Sequence, residues 1–154
     1  MAWLLLGYSS PKLRPTNVFF TPKPSTSEGA FLLDTGISAG FPIPADDFES
    51  TKVSLDEELI KNKNATFFAK VKGQSMIGAG LNDNDLLVID RSLQPENNKI
   101  AVCFIDGDFT VKRLKVTENG IWLKPENPNY PIIKVTEEND FMIWGIVTNV
   151  IKKL

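Results

Sequence analysis

Ser75, in Gly73-Gln74-Ser75-Met76, and Lys112, in Phe109-Thr110-Val111-Lys112, are the residues whose types and settings suit covalent chemistry. The chain contains no histidine. A serine nucleophile here therefore cannot be activated by imidazole, its usual partner in acyl transfer, and lysine is the ordinary base that remains. Ala39-Gly40, leading into Phe41-Pro42-Ile43-Pro44, offers a bond that such a pair could cut. Both residues at that bond are small enough for the backbone to enter a tight cleft, and Pro42 and Pro44 stiffen the chain on its C-terminal side.

The elements that must position these residues can be read from the pattern. Runs rich in β-branched and aromatic residues predict strands over 66–72, 85–90, 99–105, 108–116, 120–124, 132–136 and 141–151. Ser75 falls in a glycine-flanked break between the first two, where a turn serine is the plain alternative to a nucleophile. Asp106-Gly107 is a two-residue hairpin signal, because a type I′ turn asks for positive φ at both central positions. That turn pairs the strand of Cys103 with the strand of Lys112. Alternation puts Thr110, Lys112 and Leu114 on one face and Phe109, Val111 and Arg113 on the other, without saying which face is wet. Both Lys112 and Arg113 fit the pattern. Chemistry separates them, since a guanidinium stays protonated whereas burial can strip the proton from an ammonium. Ser54 with Glu57 three residues on forms a capping box, and with Leu55 and Leu59 it predicts one short helix over 54–61.

Residues 1–39 read differently. Pro11, Pro15, Pro22 and Pro24, with several serines and Gly29, leave no sustained helical or strand period. They predict an extended N-terminal arm. The apolar islands Trp3-Leu4-Leu5-Leu6, Val18-Phe19-Phe20 and Phe31-Leu32-Leu33 would dock such an arm onto a surface. The same prolines leave no uninterrupted pair of helices for a helix-turn-helix DNA-binding module. A chain of 154 residues suits one domain plus this arm.

Composition narrows the function classes. A net charge of -2 gives no bulk reason for direct nucleic-acid binding. Cys103 is the only cysteine, so no internal disulfide forms, and its apolar run Ala101-Val102-Cys103-Phe104-Ile105 marks a buried structural thiol. Asp46-Asp47 and Asp83/Asp85 read as solvated turns, so no metal site and no cofactor are expected. Lys152-Lys153 reads as a soluble tail. The apolar start, Met1 to Gly7, is too short to span a bilayer and lacks a basic leader, so a cytoplasmic protein without a membrane anchor is expected.

From Gly40 onward the chain resembles the self-cleaving serine peptidases of the LexA and UmuD type, UmuD more than LexA. The matching stretches are Ala39-Gly40-Phe41-Pro42-Ile43-Pro44-Ala45, Gly73-Gln74-Ser75-Met76-Ile77, Asp83 to Asp90, Asp106 to Leu114, and Trp144-Gly145-Ile146-Val147. Ala39 and Gln74 depart from the residues familiar at those positions in UmuD proteins, and the arm is longer than theirs. The resemblance implies a mainly β fold of curved antiparallel sheets. It implies cleavage at Ala39-Gly40 by a Ser75–Lys112 dyad, with Thr110 helping to orient the lysine and backbone N–H groups around Gln74 and Ser75 holding the oxyanion. The arm, 1–39, would be removed, and 40–154 would be the peptidase and polymerase-interaction domain. It further implies a homodimer in the SOS response, cleavage stimulated by RecA filaments on single-stranded DNA, and a processed form joining a UmuC-type Y-family translesion polymerase. The alternative is a LexA-like or phage-type regulatory interaction module in which cleavage is secondary.

Overall fold

The computed structural model describes residues 19–23, 29–33, 37, 39–42 and 50–154. The island at Trp3 to Leu6 and the pair Asp46-Asp47 lie outside the described residues. The chain divides into two compact units, one of residues up to Pro22 together with Asn62–Leu154, the other Lys23–Lys61.

The larger unit is built on an eight-stranded sheet in which every pairing is antiparallel. Its strands are β1 (Phe19–Phe20), β4 (Thr66–Lys70), β5 (Leu86–Asp90), β6 (Ile100–Ile105), β7 (Asp108–Thr117), β8 (Gly120–Lys124), β9 (Ile133–Lys134) and β10 (Phe141–Ile151). Their spatial order is β1-β4-β5-β10-β6-β7-β8-β9, so the last strand threads between β5 and β6. The mainly β fold expected from the sequence is the fold observed. β6 and β7 are joined through Asp106 and Gly107 at φ 50° and 98°, both positive as the two-residue turn requires, and Ile105 pairs with Asp108 across it.

Strand alternation sorts the apolar side chains into two clusters. Val102 joins Leu87, Ile89, Met76 and Trp144 in one, while its neighbours Ala101 and Cys103 join Leu114, Leu123 and Ile146 in the other. Trp144 and Ile146 are two residues apart yet belong to different clusters. The register shift between Ile143 and Gly145 makes this possible, because one inserted residue reverses the inward-facing parity of the strand. Trp144 then packs edge-on to Phe67 and Phe109, with the Arg91 guanidinium 4.7 Å above its ring.

The smaller unit holds β2 (Ala30–Leu33) paired antiparallel with β3 (Ser50–Val53), and then α1 (Leu55–Leu59). α1 is shorter than the 54–61 expected. Ser54 is its N-cap residue with extended backbone, but its side chain makes no capping hydrogen bond, and Leu55 is exposed. The capping box thus exists as a sequence pattern without the bond. One turn of helix has little cooperative support, so its ends are set by neighbouring chain rather than by caps.

Residues 19–20 and 30–33, expected to lack strand structure, form β1 and β2. Their partners are distant in sequence: Phe19 pairs with Ala69 and Phe20 with Phe68, while Ala30 pairs with Val53. Short segments of this kind take strand geometry from a partner's free backbone groups, which no local period reports.

Candidate active site

Ser75 sits on a loop between β4 and β5 that is tied at both ends. On entry, the Val71 N–H donates to the Asp85 carbonyl at 2.9 Å and the Asn84 N–H donates to the Val71 carbonyl at 2.9 Å. The Gly73 N–H donates to Asp83 Oδ1 at 2.7 Å. On exit, the Leu81 N–H returns to the Met76 carbonyl at 3.2 Å, after a 3-10 turn over Ile77–Ala79. Met76, 2% exposed, anchors the loop in the core while Ser75 beside it stays half-buried at the surface.

Lys112 comes from β7, paired with Ala101 of β6. Leu114, two residues on, is fully buried with Ala101 and Cys103, so the Lys112 side of β7 is dry, while Phe109 and Val111 on the other side pack against the second cluster. Lys112 itself is 6% exposed. Its Nζ donates to Ser75 Oγ at 2.9 Å, to Thr110 Oγ1 at 2.7 Å and to the Val111 carbonyl at 3.0 Å. Burial lowers the lysine pKa, and the nearby Cys103 thiol acts in the opposite sense. The same burial pushes Cys103 up to about 12, leaving it a protonated core thiol. Arg113, on the other face, is occupied by structure: its Nε meets Glu126 Oε1 at 2.5 Å and its Nη1 donates to the Asn98 carbonyl at 2.7 Å.

A third segment, Pro125 to Asn127 after β8, closes over the Ser75 loop. The Glu126 N–H donates to the Ser75 carbonyl at 2.9 Å and the Gly78 N–H donates to the Glu126 carbonyl at 2.7 Å. That approach needs glycine, since a Cβ at position 78 would run into the Glu126 carbonyl. Asn127 Nδ2 donates to the Gln74 carbonyl at 2.9 Å.

Ser75, Lys112, Thr110 and Gln74 are therefore brought to one place. Ala39 and Gly40 are exposed in a bend of the Lys23–Lys61 unit. Several residues that shape the site were not singled out from sequence. Glu126 and Asn127 carried a signal in the Pro-Glu-Asn-Pro run, where an asparagine between prolines marks an Asx turn, here closed by the Asn129 N–H on Asn127 Oδ1 at 3.0 Å. Asp85, read as a solvated turn residue, is buried and accepts from the Asn82 N–H at 2.7 Å and from Lys152. Lys152, read as soluble tail, is thereby part of the same support. A pairing of residues 67 positions apart leaves no trace in local composition.

The Peptidase S24-like family pattern matches residues 31–148. The chain belongs to the S24 peptidase family. It is 40% identical over 114 residues to protein MucA of Salmonella typhimurium, covering 73% of this chain and 77% of that protein. It is 40% identical over 115 residues to protein SamA of the same species, covering 75% and 79%. The LexA repressor of Paracidovorax citrulli is 36% identical over 134 residues, which is 87% of this chain but only 59% of the repressor. Within the S24 peptidases the chain is thus a UmuD-like member of the LexA/UmuD group, a group of serine peptidases. No helix among the described residues is long and apolar enough to cross a membrane.

Proposed function

We propose that this S24 peptidase cuts its own chain between Ala39 and Gly40, with Ser75 as nucleophile and Lys112 as base. The observation that carries the reading is the 2.9 Å contact between Lys112 Nζ and Ser75 Oγ in a chain that has no histidine, with burial lowering the lysine pKa. Neutral Lys112 takes the proton from Ser75 Oγ as the oxygen attacks the Ala39 carbonyl carbon. The oxyanion is held by backbone N–H groups around Gln74 and Ser75. Among the described residues, no acceptor takes the N–H of Gln74, Ser75 or Met76, which leaves these donors for a ligand. Collapse breaks the Ala39–Gly40 bond, and the Lys112 ammonium returns the proton to the Gly40 amine. Water then hydrolyses the Ala39–Ser75 ester by the same proton route, freeing residues 1–39 from 40–154. Attachment to the same chain gives the scissile segment a high effective concentration, so weak binding suffices.

By likeness to its relatives, the protein acts in SOS mutagenesis as a cytoplasmic homodimer. Cleavage is stimulated by RecA on single-stranded DNA, and the processed form is a subunit of a UmuC-type translesion polymerase. The pairing of Phe19–Phe20 with β4 favours a second reading, in which the docked arm is itself the regulatory element and cleavage is secondary. Intact mass spectrometry separates the two. Wild-type protein incubated at alkaline pH, with and without RecA on single-stranded DNA, should yield a product beginning at Gly40. Ser75→Ala, Lys112→Ala and Lys112→Arg should yield none. A wild-type chain that stays whole under every condition rejects self-cleavage, and undiminished mutagenesis in cells carrying Ser75→Ala makes cleavage dispensable.

A further inference from the structure

We infer that Asn127 is a positioning residue for the oxyanion site, acting through the far end of the peptide that supplies its N–H. The inference rests on the reading of Ser75 as nucleophile. A trans peptide is planar, so its carbonyl and its N–H point in opposite directions and rotate together. The carbonyl of Gln74 and the N–H of Ser75 belong to one such plane. Whatever grips the Gln74 carbonyl therefore aims the Ser75 N–H.

Asn127 Nδ2 holds that carbonyl at 2.9 Å, from a residue only 6% exposed. The Ile77 N–H reaches the same carbonyl only at 3.4 Å, the long end of hydrogen-bond range, so the amide is the stronger of its two partners. The asparagine is itself locked, because its Oδ1 accepts the Asn129 N–H at 3.0 Å, which fixes which way the amide faces. The next plane is held likewise: the Ser75 carbonyl accepts the Glu126 N–H at 2.9 Å and so aims the Met76 N–H. Arg113, bonded to Glu126 at 2.5 Å, fixes the clamp to β7, the strand that carries Lys112. Nucleophile loop and base strand are thus held in mutual register through Pro125 to Asn127, with Asn127 the one side chain, among the described residues, that hydrogen-bonds the carbonyl of the donor peptide.

Asn127→Asp is the sharpest variant. It keeps the oxygen that receives the Asn129 N–H but replaces the donor to Gln74 with a carboxylate oxygen and so adds a charge; Asn127→Ala removes both groups without adding charge. None of the Lys112 contacts involves Asn127, so in the uncharged Asn127→Ala the pH at which self-cleavage reaches half its alkaline plateau should stay in place. The plateau itself should fall by at least about tenfold, approaching the ~10²-fold loss seen when an oxyanion donor is removed. A plateau within twofold of wild type in both variants overturns the inference, and so does a fall in Asn127→Ala accompanied by a shifted half-maximal pH. A second measurement does not depend on cleavage. Amide order parameters at Ser75 and Met76 in the full chain should be those of rigid backbone, about 0.85, and should drop towards about 0.6 in Asn127→Asp. Unchanged order parameters overturn the anchoring even if the chain cuts itself. A wild-type chain that never cleaves while the order parameters drop supports the anchoring and rejects the peptidase reading alone.

Discussion

Replacing Thr110 by valine tests how the candidate base is tuned. The Lys112 ammonium has three protons, and it has three acceptors within 3.0 Å: Ser75 Oγ, Thr110 Oγ1 and the Val111 carbonyl. These contacts favour the charged form. Burial opposes them and prevails, since the net shift of the lysine is downward. Valine nearly matches threonine in volume but offers no acceptor. A hydrogen bond to a charged group is worth about 1.5–3 kcal/mol, and about 1.4 kcal/mol corresponds to a factor of ten in a protonation equilibrium. Thr110→Val should therefore raise the ratio of neutral to charged Lys112 by roughly 10–100-fold at any pH where the charged form dominates. An already lowered pKa thus moves further down, and the rising limb of the cleavage rate moves to lower pH. First-order self-cleavage would be tracked by intact mass from neutral to strongly alkaline pH, with each rate normalised to that variant's plateau. The plateau should fall, because the amine loses the contact that orients it, while the normalised rate on the rising limb increases. A limb that stays in place or moves to higher pH refutes the view that Thr110 stabilises the ammonium.

Three further outcomes bear on the scaffold. Lys152→Met should lower Tm at neutral pH. The Asp85 carboxyl is held below its usual range first by the hydrogen bond from Lys152, then by the Asn82 N–H. A depressed carboxylate stabilises the fold above its unfolded pKa and loses that contribution as pH falls through the folded one, so the Tm gap should narrow in acid; a gap that persists there contradicts the pairing. Leu114→Ala, at a fully buried position two residues from Lys112, should cost about 2–5 kcal/mol in urea denaturation, and a loss below about 1 kcal/mol would show that this face of β7 is not core. Cys103, buried and raised to about 12, should resist iodoacetamide in the folded protein and react on unfolding, whereas rapid alkylation without denaturant would contradict its burial.

Much of the large sheet was legible because its determinants are local. The strand over 141–151 is observed with those bounds, and that over 120–124 likewise, since β-branched and aromatic runs between turn residues need no distant information. Asp106-Gly107 announces its own geometry through positive φ. By contrast, the bulge at Ile143/Gly145 and the strands β1 and β2 each depend on a partner elsewhere in the chain. The run at 66–72 ends at Lys70 for a similar reason, as the backbone beyond it turns to hold the Asn82–Asp85 turn.

The site divides along the same line. Residue chemistry by itself determined that a serine nucleophile in this chain must rely on lysine, because imidazole is absent and guanidinium keeps its proton. It also placed Thr110 and Lys112 on one face of a strand, since strand side chains alternate. Only the tertiary structure decided that this face is dry at Lys112, through the burial of Leu114 and Cys103 beside it. Only it brought Asn127 to Gln74 across 53 positions and Lys152 to Asp85 across 67. The physical reason is range: backbone preference and alternation act over a few residues, whereas desolvation and hydrogen-bond geometry depend on which distant segments exclude water together.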